Sequence, residues 1–157
     1  MHELQEIESW FLNNSENVTN KKLQKLLYYA YSWFLVSFNE TSEDLELKFF
    51  DSHFEAWVHG PVCPQSYNKY KHLGSSIIPK FNYSIIPFSD DELDILNEVN
   101  NVYGDFSGDE LEYISTNEFP WKKARMNLPS DEPSTNVISD KDIFDYYIKQ
   151  LFYEEKS

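Results

Sequence analysis

Four side chains of the kind that ligate metals or act as nucleophiles and bases stand close together in mid-sequence: His53, His59, Cys63 and His72. Their spacing, H-x5-H-x3-C-x8-H, lacks the paired short intervals that hold two ligand pairs around one tetrahedral zinc ion. Cys63 with His59 four residues upstream has the parts of a thiolate–imidazole pair. No Asn or Asp is placed to orient the imidazole, however, and a cysteine between Val62 and Pro64 reads as a small packed residue. The four glycines stand singly, so there is no phosphate-cradling loop, and neither a G-x-S-x-G elbow nor an H-E-x-x-H helix occurs. Among 27 Asp and Glu residues, a proximal carboxylate pair says nothing about acid–base catalysis. The expectation is a protein that is not an enzyme and carries no cofactor or metal.

Three other segments combine residue types that rarely meet by accident. The first is Leu23-Gln24-Lys25-Leu26-Leu27-Tyr28-Tyr29-Ala30, with Trp33 one turn later. The second is Phe54-Glu55-Ala56-Trp57-Val58-His59-Gly60-Pro61-Val62, followed by Tyr67 and Tyr70. The third is Thr116-Asn117-Glu118-Phe119-Pro120-Trp121-Lys122-Lys123-Ala124-Arg125. Helical spacing makes Leu23, Leu26, Tyr29 and Ala30 core residues, and Gly60-Pro61 fixes a turn. Trp57 and Trp121 read equally as core or as surface anchors. Lys25 and Arg125 are each expected to pair with an acidic residue, Glu55 and Glu118 being the candidates, and so to lock helices around the Gly-Pro turn.

The elements that must carry these segments are mostly helices. A short one over about residues 3–13 carries Leu4, Ile7 and Phe11 on one face. The next is capped by Thr19 and carries Leu23, Leu26, Leu27, Ala30, Phe34 and Phe38 as a stripe. Its first turns hold Lys21, Lys22 and Lys25, where cations oppose the helix dipole at a cost of a few tenths of a kcal/mol, so facing acids are expected. Residues 48–57 read as a small hairpin turning at Asp51-Ser52. Pro64 opens a helix that runs to about Leu73 and stops at Gly74, and residues 75–88 form a long connection with room for a strand. Capping boxes at Ser89/Glu92 and Ser107/Glu110 open two more helices, the first closed by Gly104, the second running through Ile114. Pro120 starts a further turn, residues 127–137 form a loop, and a last helix runs from Ser139 with Ile143, Phe144, Tyr147, Ile148 and Leu151 as its apolar face. The fold class this predicts is mainly α: a single compact domain over 1–157, of about six to seven helices, with a small β-hairpin or two- to three-stranded sheet near residues 48–58.

Composition narrows the classes further. A chain of 157 residues with 17% aromatic content is neither a disordered acidic tail nor in need of a disulfide staple. Cys63 is the only cysteine, which suits a reducing cytoplasm. The N-terminus is acidic where a signal peptide would be basic, and the longest uncharged apolar run, Leu26 to Phe38, falls short of the roughly 18 residues that suggest a membrane span. Thirteen Lys and Arg against 27 Asp and Glu give a net charge of −14. Between Phe81 and Trp121 there is no Lys or Arg at all. Such a field repels nucleic acid, whose binding runs on neutralised phosphates, and steers a basic partner. It also suits a DNA mimic whose carboxylates imitate phosphates.

Taken in order, the three segments resemble the Panacea domain family of SocA-like antitoxins and GepA-like phage-associated proteins. The family pattern is an L-x-K-L-x-Y-Y-A helix, an A-W-x-x-G-P-V segment with a Tyr soon after, and a P-W-x-x-A-R segment. The matching positions are Leu23, Lys25, Leu26, Tyr28, Tyr29 and Ala30; Ala56, Trp57, Gly60, Pro61, Val62 and Tyr67; and Pro120, Trp121, Ala124 and Arg125. The agreement extends over roughly residues 4–150 and departs from the pattern at Asn117, where a His is expected. The resemblance implies a mainly helical fold with a small β element. It also implies a type II antitoxin that binds a toxin encoded in the same operon and blocks it by direct contact, with delivery of the partner to the ClpXP protease as an alternative.

Overall fold

The structure, a computed structural model, describes residues 1–156, with side chains as far as Leu151. Its centre is α2 (Asn20–Phe38). Residues 22–32 of this helix are buried without a break, as happens to a helix apolar on every side. Around it pack α1 (Leu4–Asn14), α3 (Pro64–Tyr70), α4 (Asp90–Tyr103), α5 (Gly108–Thr116) and α7 (Asp140–Lys156). The remaining helix, α6 (Phe119–Arg125), joins α5 to α7 and leans on a small sheet. The described residues thus form one mainly α body with a three-stranded antiparallel sheet.

The capping signals place the helix ends. The Thr19 hydroxyl accepts from the Lys22 N–H at 3.3 Å, and both halves of each capping box are formed at Ser89/Glu92 and Ser107/Glu110. The α3 helix opens with Pro64, tightens into a 3-10 turn at Lys71–Leu73, and stops at Gly74, whose φ of +58° a β-carbon would resist. The three lysines at the start of α2 are answered in three ways. Lys21 pairs with Asp109 (2.8 Å) and Glu112 (2.7 Å) of α5. Lys22 donates to the carbonyls of Glu16 (2.8 Å) and of Gly104 at the end of α4 (2.6 Å), where a cation also complements that helix's dipole. Lys25 turns inward.

The sheet corrects the expected hairpin. Strand β1 (Phe54–Trp57) pairs with β2 (Gly60–Val62) in the register Glu55 to Val62, Ala56 to Pro61 and Trp57 to Gly60. The turn is therefore Val58-His59, not Asp51-Ser52. Phe49 and Phe50 are wholly buried against α2, stacking near Phe34 and Tyr31, so their apolar run serves packing rather than pairing. Pro61 is tolerated because β2 is an edge strand. On the other side of β1 lies β3 (Val137–Ile138), at the end of what reads in sequence as a loop.

Residues 75–88 cross the face of α1, with a single bridge from Ile77 to Thr19. Polar side chains of α1 take the place of a neighbouring strand: Ser9 donates to the Phe81 carbonyl (2.8 Å), and Glu6 accepts from the N–H groups of Ile85 and Ile86 (3.1 Å each). Burial alone would raise the pKa of Glu6, but the N–H groups of Glu3, Ile86 and Ile85 outweigh it and hold the carboxyl below its ordinary range.

Candidate functional site

The β1–β2 hairpin is held from three sides by residues of the three sequence segments. Because Pro61 pairs with Ala56 in an edge strand, its carbonyl points away from the sheet and needs a donor from elsewhere. Lys25 supplies one, with Nζ 3.1 Å from the Pro61 oxygen. The residue is 1% exposed. Burial and the neighbouring Lys21 charge push the amine down to about 7, against the pull of Glu112. Gly60 sits directly above the lysine at φ +105°, and a β-carbon there would lie 2.8 Å from Lys25 Cε. The turn therefore demands glycine twice, once for its backbone and once for the space the lysine fills.

Arg125 braces the opposite side. Its guanidinium donates to the carbonyls of Ala56 (3.1 Å), Pro129 (2.9 Å) and Glu132, tying β1 to the loop that follows α6, and it lies 4.8 Å from the Trp121 ring. Trp121 is itself buried and donates its indole N–H to the Trp57 carbonyl at 2.8 Å. These contacts correct the expected ion pairs. Neither Lys25 nor Arg125 pairs with a carboxylate among the described residues; both donate to main-chain carbonyls. Glu55 instead accepts from the indole of Trp57 (2.9 Å) and pairs with His53 (2.9 Å). Glu118 accepts from the hydroxyls of Tyr29 (2.7 Å) and Tyr147 (3.0 Å). Burial lifts the Glu118 carboxyl to about 6, the two hydroxyls holding it from rising further.

In front of the hairpin lies a cleft of about 750 Å³. The start of α2 contributes Lys21, Gln24 and Lys25 to its wall, and the hairpin contributes Trp57, Val58, His59 and Val62. Tyr67 and Lys71, the start of α5, and residues 133–135 close it. Trp57 and Tyr67 meet edge to face with centroids 4.9 Å apart, an arrangement that presents aromatic area to the cleft. Of the residues singled out in sequence, Lys25, Trp57, Val62 and Tyr67 line it. Ala56, Gly60, Pro61, Trp121 and Arg125 stand behind it as its frame, while Leu23, Leu26, Tyr28, Tyr29 and Ala30 are core.

The family model described as "Antitoxin SocA-like, Panacea domain" matches residues 23–122, nearly two-thirds of the chain. The chain belongs to the Panacea domain family. No curated protein and no solved structure matches it. The matched stretch of the Panacea domain runs from the first turns of α2 into α6, so it contains the hairpin and most of the cleft wall but stops just short of Ala124 and Arg125.

Several features lie outside what sequence alone marks. Glu112 bridges Lys21 and His59, the latter at 3.1 Å, so α5 supports the rim of the cleft. The one available signal is the Lys21/Lys25 spacing, which puts both on one side of α2. Asn117, in place of the expected His, ends α5 and donates to the Tyr113 carbonyl at 2.6 Å. The His/Cys cluster disperses: His53 and His59 pair with different carboxylates, and Cys63 is buried beside Ser52 with its thiol pKa raised, chiefly by burial. Among the described residues no three such side chains stand close enough to hold a metal ion, and no helix is long and apolar enough to cross a membrane.

Proposed function

We propose that this protein is the antitoxin of a type II toxin–antitoxin pair, acting in the cytoplasm on a toxin encoded beside it, by direct contact rather than by catalysis. In this reading the cleft in front of the hairpin receives a segment of the toxin. Family membership over residues 23–122 is the observation that carries the reading. The cleft supports it, because a preformed apolar concavity with aromatic walls and a few convergent polar groups is the usual form of a binding site. Trp57 and Tyr67 are the anchors such a surface would use.

The test is co-purification with the product of the neighbouring reading frame. A stable complex is expected with the wild type, and a weakened one with Val58→Asp, which puts a charge on the half-buried cleft wall. Occlusion by contact further predicts that neutralisation persists in cells lacking ClpXP; its loss there would assign delivery to the protease instead.

A further inference from the structure

A second concavity, about 320 Å³, lies between α2, α4 and α7, away from the hairpin. Trp33, Ile95, Val99 and Leu151 form its apolar lining, and Val102, nearly half exposed, continues the apolar strip. Asp94 and Glu98 stand exposed along its edge. Neither makes an ion pair or side-chain hydrogen bond among the described residues. They lie one turn apart on the same helix, where like charges repel and cost the helix a few tenths of a kcal/mol. The rest of α4 offers no relief, since Asp90, Asp91 and Glu92 crowd its first turn and no Lys or Arg occurs between Phe81 and Trp121.

We propose that this groove is a docking site for a basic amphipathic helix of the toxin. The inference rests on the antitoxin reading for the identity of the partner, and on the groove for its chemistry. Two carboxylates about 6 Å apart along the helix axis match two Lys or Arg residues spaced i, i+4 on a facing helix. Between them the apolar strip accepts that helix's aliphatic side chains, and at this volume it has room for only a few of them. This is helix-in-groove recognition, with the acidic edge supplying steering and orientation. The surface is separate from the cleft before the hairpin, so the toxin engages two faces of the protein, a segment in the cleft and a helix in the groove.

The groove is tested first without any toxin. Full-length protein, uniformly labelled with nitrogen-15, is titrated with a synthetic fourteen-residue helical peptide bearing Leu on one face and Lys at i, i+4 beside it; an otherwise identical peptide with Glu at those positions is the control. The expected result is saturable shifts of the Trp33 indole and the Val99 and Val102 amides with the Lys peptide. Affinity should fall at least tenfold with the Glu peptide, with Asp94→Lys/Glu98→Lys, and with Val102→Glu, while the circular dichroism spectra of the variants stay unchanged. Equal binding by either peptide or by the charge-reversed variant would overturn the proposal. So would shifts centred on Trp57, or saturation of the groove by self-association. In a second arm the charge-reversed variant should neutralise the neighbouring toxin less well than wild type; neutralisation equal to wild type would overturn the proposal. A wild type that fails to neutralise any neighbour counts against the antitoxin reading and leaves the peptide arm to decide the groove.

Discussion

Lys25 is an expensive residue: a fully buried amine given one backbone acceptor and a pKa near 7. Its folded pKa lies below its unfolded value of 10.5, so the unfolded chain holds the extra proton between about pH 7 and 10.5 and stability rises with pH across that window. Denaturant titrations should therefore show wild type gaining stability relative to Lys25→Met between pH 7 and pH 10. A difference that stays flat would mean that the amine is solvated. Glu118 runs the other way. Its folded pKa of about 6 exceeds the 4.5 of an ordinary glutamate, so its contribution is complete below pH 4.5 and is lost as pH rises through 6. Glu118→Gln should therefore be more stable than wild type above pH 6 and no different at pH 4, as read by denaturant titration at the two pH values. Gly60→Ala should cost about 1–3 kcal/mol in strain at φ +105°, and more if Lys25 cannot shift aside. The sequence marks Lys25, Gly60 and Arg125 as special but misleads about their partners. Residue types suggest cation with carboxylate, whereas the edge strand and the loop after α6 leave main-chain carbonyls whose need for donors appears only once the chain is folded.

At the scale of elements, helix ends are legible because their signals are local. A capping box closes within four residues, and a proline or glycine acts on its own φ, so the starts of α2, α3, α4 and α5 and the stop at Gly74 follow directly. Ser107→Ala should accordingly lower stability by about 1 kcal/mol in a thermal melt, and it should also loosen the cleft, since α5 supplies the acids that hold Lys21. Strands are less legible because they depend on distant partners. The two residues of β3 have no periodicity to read, and the apolar run Phe49-Phe50 looks like half a hairpin although α2 takes both rings. The third segment is the clearest instance of this dependence. From sequence, α6 is one turn after a proline; in the fold it fastens Trp121 and Arg125 to the back of β1. Arg125→Lys should remove the planar fork that reaches Ala56, Pro129 and Glu132 together. A loss of about 2 kcal/mol is expected, the order of a charge-assisted hydrogen bond, with protease cleavage appearing first in the loop after α6.

For the molecule as a whole, the −14 charge is unevenly distributed, and its distribution divides the surface by role. On the face carrying the hairpin and cleft, Lys21 is committed to carboxylates and Lys25 to a carbonyl. The face along α4 carries Asp94 and Glu98, unpaired among the described residues, beside an apolar groove. A partner steered by that second face should associate more slowly as salt rises from about 50 mM to about 500 mM, over which the Debye length shrinks severalfold; dissociation should change much less. A salt-insensitive association rate would count against electrostatic steering. The account stands most directly on growth of cells that express the neighbouring reading frame. Wild-type protein should restore growth, and Val58→Asp, folded and with an unchanged melting temperature, should not. Restoration by both alike, or by neither, would contradict the claim that this protein neutralises a toxin through the cleft in front of its hairpin.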